Sequence, residues 1–209
     1  LELMIARAAE EDVAAYDPAV LRLSARLALA ALKRHRRGDS VIAIDDAASL
    51  AAGGTALTAV TVINDNMPFL FDSISAEVTE SCGEATLVLH PVIPVRHDVN
   101  GVVSFAADGG AKSEPAADRV SLIQIHVPRI ADADKAALAT RLEHVLSQVR
   151  LAVADWKPML ARLDQAISAF RYGASPLDKA DVEEGIAFLE WLRDNNFTFL
   201  GMREYEFRG

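Results

Sequence analysis

The sequence predicts an α+β fold, a split βαβ unit whose antiparallel sheet carries both helices on one face. Three observations predict it. First, Val60, Thr61, Val62 and Ile63 form a β-branched run that passes through Asn64, Asp65, Asn66 and Pro68 into Met67, Leu70, Phe71, Ile74 and Val78 at helical spacing. Second, Ser121 to Val127 alternates, with Ile123, Ile125 and Val127 on one face, and leads into a long helical pattern from about Asp132 to Trp156. Third, the apolar stretch Thr86 to Val95 lies between them and contains Pro91 and Pro94. Proline cannot donate to a ladder, so this second strand belongs at a sheet edge or carries a bulge. In the split βαβ topology the second strand does lie at an edge.

The remaining elements follow in order. Residues 1–15 are rich in Ala and Glu and read as a frayed helix. Asp17-Pro18 is a cap followed by a first-turn proline, and Val20, Leu23, Leu27, Ala28 and Ala31 continue at helical spacing. Lys33 to Arg37 close that helix before Gly38, where basic side chains complement the macrodipole; the same cluster also suits a phosphate or an acidic partner. Val41 to Ile44 is a short strand, and Ala51 to Gly54 a flexible join. In the organising turn, Asn64, Asp65 and Asn66 are expected as turn and cap formers, with Pro68 at the first helical position. Such a turn aims helix N–H groups at one spot that favours anions. Val102 to Phe105 pairs briefly, and Asp108 to Asp118 is a loop. The helical stripe after the third strand comprises Leu138, Leu142, Val145, Val149, Val153 and Trp156, with Pro158 breaking or restarting it. Asp181 caps a later helix bearing Phe188, Leu189 and Leu192, and Phe197 to Tyr205 reads as a final strand.

The fourth strand of the sheet comes either from this terminal segment, 197–207, or from the early one at 41–45; the terminal segment is the preferred candidate. The outer face of strand 86–95 then needs a cover, for which a second copy or the rest of a longer chain is expected. The expected organisation is a helical extension with a short strand over residues 1–50, a core over 51–156, and a helical extension over 157–209 that ends in a sheet-completing strand.

Composition limits function. The 209 residues are 51% hydrophobic and 24% charged, as in a globular protein with a core, and the net charge of −9 argues against nucleic acid or an anionic membrane as partner. The single cysteine, Cys82, excludes an internal disulfide framework and fits a reducing cytoplasm. No apolar run approaches the roughly 20 residues that span a bilayer, and no signal peptide is visible. The chain begins at Leu1 and stops within an apparent strand, which reads as a piece of something longer.

Few residues offer chemistry. There is no GxGxxG, P-loop or HExxH pattern, so no nucleotide cradle or helical zinc site is expected. The five histidines are expected not to cluster, and His90 and His97, seven apart, face opposite sides of an extended segment. Cys82 reads as a buried thiol, Asp65 and Asp72 as caps rather than an acid/base pair, and Trp156 and Trp191 as core. Neither a catalytic residue nor a metal ligand is expected.

Residues Asp65 to Ser73, DNMPFLFDS, resemble the DMPFLVDS signature near the N-terminus of the large bacterial NAD-dependent glutamate dehydrogenases. Further similarities follow in the same order: His90-Pro91-Val92, Arg96-His97-Asp98 with Gly101, Val149-Arg150, Asp155-Trp156 with Met159, and Phe188-Leu189-Glu190-Trp191-Leu192 leading into Phe197 to Tyr205. The resemblance covers most of residues 20–207. It implies a ferredoxin-like βαββαβ (ACT-like) module, non-catalytic and regulatory or assembly-forming, within a cytoplasmic enzyme that converts glutamate, NAD and water to 2-oxoglutarate, ammonium and NADH. NAD would belong to the parent and no cofactor to this segment. The remainder of the parent chain and other subunits of a homo-oligomer are the implied partners, with a small amino-acid effector as the alternative. The matching effector or interface positions are Asn64, Asp65, Asn66, Met67, Pro68, Phe69 and Leu70. Where ACT modules usually carry glycine after the proline, this chain has Phe69, which would crowd a ligand and act instead as a packing anchor. Asp72 adds negative charge, Met202 stands where the family often has tyrosine, and Val120 where it often has glutamate.

Overall fold

Residues 1–6, 8–46, 51–52, 55–105 and 118–205 are described by a computed structural model. Before the sheet come α1 (Glu2–Ile5), α2 (Glu10–Ala14) and α3 (Pro18–Arg34). Asp17 caps α3 as its sequence implies, its carboxylate accepting from the Ala19 amide at 2.6 Å, with Pro18 in the first turn. The expected helix over residues 1–15 is instead the two short pieces α1 and α2.

The sheet contains β1 (Ser40–Asp45), β2 (Ala51–Ala52), β3 (Thr55–Asp65), β4 (Leu87–Leu89), β5 (Val92–Asp98), β6 (Gly101–Phe105) and β7 (Asp118–Pro128). Its order is β1-β3-β7-β5-β6, with β2 beside β3 and β4 beside β7. All the pairings are antiparallel. The two β-branched runs found in the sequence are its central strands, β3 and β7, in register from Leu57 opposite Pro128 to Asp65 opposite Val120. α4 (Leu70–Cys82) follows β3, and α5 (Asp132–Tyr172) follows β7.

Period-two alternation sends β3 and β7 side chains to two covered faces. On one, Leu57, Ala59, Ile63, Val120 and Leu122 join Leu87, Leu89, Ile93 and Val95 in a buried cluster with Val20, Leu21, Ala28, Ala31 and Leu32 of α3. On the other, Val60, Val62, Ile123, Ile125 and Val127 are buried, α4 packs on β7, and α4 buries Leu70, Ile74 and Val78. The first turns of α5 lie beside α4, where Arg141 donates to Glu77 at 2.8 Å and to Ser81 at 3.1 Å.

Several expectations need correction. The strand beside β3 is β1, pairing Ser40 with Asn64 through Asp45 with Ala59, and not the terminal segment. Leu192–Asn196 is a π-turn with Asn195 left-handed at φ 63°, and residues 197–205 after it are irregular. The face thought to need a second copy is covered by α3 of the same chain. The strand over 86–95 divides at His90-Pro91 into β4 and β5, and its far end is not an edge, because β6 pairs with β5 from Val95 to Asp98. Ala51 and Ala52 pair with β3 instead of forming a flexible join; Gly53, Gly54, most of the expected 108–118 loop, and Glu206 and Phe207 lie outside the described residues.

The chain divides into two compact units, Leu1–Ser147 and Gln148–Gly209. Helix α5 does not break at Pro158, which sits inside it. Leu138, Leu142, Leu146 and Val149 are its buried positions in the predicted stripe region, whereas Val153 is only half-buried. Within the second unit, Met159, Leu163 and Ile167 are buried, and α6 (Lys179–Trp191) is preceded by Asp178, not Asp181, at its N-cap. No residue of α6 is buried. Both tryptophans expected in the core are exposed, Trp156 at 41% and Trp191 at 51%. Helical spacing marks an apolar stripe but does not say which part of it meets a partner.

This contrast has a measurable consequence. Leu122→Ala opens a cavity under the central strand and is expected to lower unfolding stability by about 3 kcal/mol in urea titrations, whereas Trp156→Ala should cost less than about 1 kcal/mol.

Candidate functional site

The turn that leaves β3 is built by two side chains sent to opposite faces. Asn64, 2% exposed, points to the α4 side, where its Oδ1 accepts from Ser40 Oγ at 3.0 Å and its Nδ2 donates to the Asp65 carbonyl at 2.7 Å. Asp65 points to the α3 side, where its Oδ2 accepts from the Gly38 amide at 2.7 Å. Neither caps α4, contrary to expectation. The N-cap is Phe69, with no side-chain cap bond, and Pro68 lies in the turn before it rather than at the first helical position. The α4 N-terminus therefore keeps its backbone donors, with Asp72 in the first turn.

Phe69 is left-handed at φ 67°, ψ −6°, a conformation glycine adopts without strain and phenylalanine does not. Phe69 is 39% exposed, while Leu70 is buried at 2%. Asn66 donates its amide to the Arg119 carbonyl at 2.8 Å, and Met67 is half-buried. The seven candidate positions thus form one turn, with Asn64 and Asp65 already engaged by the chain's own groups.

Histidines far apart in sequence meet beside this turn. His35 Nδ1 lies 2.9 Å from His97 Nε2, and His97 Nδ1 lies 3.0 Å from Asp118 Oδ2. Arg37 holds Asp118 through Nε at 3.1 Å and Nη2 at 2.6 Å, and this keeps the Asp118 carboxyl below the usual carboxylate range. At the other end, His35 Nε2 stands 3.6 Å from Asp65 Oδ1 and makes no hydrogen bond, although buried. Gly101 brings the hairpin of β5 and β6 against this corner: at φ 138°, a Cβ there would meet the Lys33 carbonyl oxygen at 2.4 Å. His90 is held separately, by Ser121 Oγ at 2.7 Å and by stacking on Phe71 at 4.9 Å.

A second polar group lies under α3. Ser24 Oγ donates to Gln124 Oε1 and is 2.9 Å from His126 Nε2, while His126 Nδ1 is 3.2 Å from the Tyr16 hydroxyl. Gln124 Nε2 donates to Thr61 Oγ1 at 3.0 Å and to the Ser24 carbonyl at 3.2 Å. A serine beside a histidine is a nucleophile–base geometry in outline. Here Ser24, Gln124 and His126 are each 0% exposed and the serine proton is given to Gln124, so no substrate reaches it. These residues satisfy one another in a buried layer. Burial pushes the His126 imidazole down to about 4, keeping it neutral.

Cys82 ends α4, half-buried, and burial raises its thiol above the ordinary value. Among the described residues no group of three or more His, Cys, Asp or Glu is disposed to hold a metal ion. Sequence reasoning missed the His35–His97 contact because the two residues are separated by the whole first half of the sheet. It missed the Ser24 layer because alternation on β7 assigns Gln124 and His126 to an outer face, and nothing local says that α3 covers that face.

Comparisons with known proteins agree on kinship. The family described as "Glutamate dehydrogenase, ACT1 domain" matches residues 1–142. The chain is 36% identical over 153 residues to the NAD-specific glutamate dehydrogenase of Halomonas elongata, covering 72% of this chain and 9% of that protein. It is 30% identical over 149 residues to the enzyme of the same name from Pseudomonas aeruginosa, covering 71% and 9%. The match therefore spans under a tenth of the length of either relative.

Two outcomes follow from the geometry. Phe69→Gly and Phe69→Ala both remove the ring, but only glycine relieves the left-handed backbone, so the glycine variant should be about 1 kcal/mol more stable in denaturant titrations. His126, with a folded value depressed to about 4 from an unfolded value of about 6.5, contributes stability that is complete above pH 6.5 and is lost as pH falls toward 4. That shift corresponds to about 3 kcal/mol; His126→Gln should flatten the pH dependence of the urea midpoint across this window.

Proposed function

Because the chain belongs to the glutamate dehydrogenase ACT1 domain family, we propose that it is a non-catalytic regulatory and assembly module of an NAD-dependent glutamate dehydrogenase. The parent would carry out the oxidative deamination of glutamate in the cytoplasm as a homo-oligomer, with the chemistry supplied by other parts of its chain. Among the described residues no helix is long and apolar enough to cross a membrane, which is compatible with this reading. The strand order supports an ACT-like ferredoxin topology in permuted form: β1 precedes the first βα unit yet occupies the place beside β3 that a closing fourth strand would take.

The observation that carries the non-catalytic reading is how the organising turn is used. Asn64 and Asp65 hold Ser40 and Gly38, and the polar layer under α3 is sealed, so the accessible surface of the turn offers no nucleophile with a base beside it. The same turn does not fit NAD. A dinucleotide needs glycine for close approach to its pyrophosphate, and here Pro68 and Phe69 fill those positions with Asp72 in the first helical turn.

A second reading, an amino-acid sensor acting at Asn64 to Leu70, draws support from the side-chain-free N-cap of α4 and from the glycine-like backbone at Phe69. Calorimetric titration of the 209-residue chain with the standard amino acids separates the two. The scaffold reading expects no saturable heat at millimolar ligand and a stable dimer by light scattering. Saturable binding that disappears in Asp65→Ala would replace it with the sensor, and NAD-dependent glutamate turnover by this chain alone would overturn the non-catalytic assignment.

A further inference from the structure

We propose that His35 and His97 form a one-proton relay strung between Asp65 and Asp118, a pH-dependent clasp that ties the C-terminal end of α3 and the β5–β6 hairpin to the turn leaving β3. The clasp stands apart from the functional reading above and does not require that the turn bind a ligand.

The hydrogen-bond roles are determined from one end. Asp118, ionised and held by Arg37, only accepts, so His97 Nδ1 carries a proton toward it. In a neutral His97 the other nitrogen, Nε2, is then an acceptor, and His35 Nδ1 must donate across the 2.9 Å gap. A neutral His35 is thereby left with a bare Nε2, and that buried atom faces Asp65 Oδ1 at 3.6 Å with no bond between them. Two lone-pair-bearing atoms confront each other in a site from which His35 has no access to water. One added proton removes the conflict: His35 Nε2–H donates to Asp65, and every nitrogen of the pair has a partner. The charges also balance, with the imidazolium and Arg37 set against Asp65 and Asp118.

The surrounding groups set the direction. Burial pushes His35 below the ordinary histidine value, Asp65 pulls it up, His97 pushes it down, and the backbone and carboxylate of Asp39 pull it up in smaller measure. From β3 the facing charge is Asp65, from β5 His97, from β7 Asp118, and from the segment after α3 Arg37 and Asp39; β6 contributes no titratable side chain. The clasp is therefore open at neutral pH and closes on acidification. Because Asp65 Oδ2 also accepts from the Gly38 amide at 2.7 Å, closure is transmitted to the backbone on both sides. Global stability moves the opposite way in the same window, since a depressed folded value makes proton uptake unfavourable to folding overall.

Long-range proton–nitrogen NMR of the histidine-labelled 209-residue chain between pH 8 and pH 4.5 tests this. The expected result has three parts. His97 Nδ1 is protonated throughout. His35 Nε2 changes from bare to protonated in one step. The Gly38 amide shifts with the same midpoint. Asp65→Asn should lower that midpoint by about one pH unit, roughly tenfold in proton affinity, by removing the carboxylate. A His35 Nε2 already protonated at pH 8, or a Gly38 amide that does not follow His35, overturns the relay in the unmodified protein. An unchanged midpoint in Asp65→Asn does the same.

Discussion

The fold depends on the pairing of β3 with β7 at the centre of a sheet that is buried on both faces. A central strand with water on neither side forces two decisions. Apolar cover must exist on each face, and any polar side chain pointing inward must find a partner there. α4 and the start of α5 supply the first cover, and α3 supplies the second. Gln124 and His126 of β7 then meet Ser24 and Tyr16, which lie on or before α3, so the polar layer is a consequence of the same constraint.

The turn after β3 inherits this two-sidedness. Consecutive residues Asn64 and Asp65 are committed to opposite faces by the pleat, one toward Ser40 and the α4 side, the other toward the end of α3. A stretch that reads as a ligand-facing loop is in this way a junction that holds three elements together. Its left-handed Phe69 is the cost of leaving β3 and entering α4 within so few residues. A ligand at this turn would have to work around or displace interactions that the fold already uses.

Much of the framework was legible. The β-branched run 60–63, the alternation at 121–127 and the helical spacing after each are local patterns, and the proline-bearing segment has the expected edge character over residues 87–94, where it pairs only with β7. The site was less so. Asp65 looked like a cap because its neighbours are turn formers, and its actual partner at Gly38 lies across the fold. His35, His97 and Asp118 carry no shared spacing that a reader of the chain could use.

By itself, the sequence determined that this is an antiparallel α+β module with a strand–turn–helix at its centre, because periodicity and turn chemistry act over a few residues. Only tertiary structure decided that residues 40–45 rather than the terminal segment stand beside β3, that α3 seals the far face, and that two histidines meet. Those outcomes depend on which of several similar apolar surfaces come together, a competition among long-range contacts that leaves no signature in any short stretch of chain.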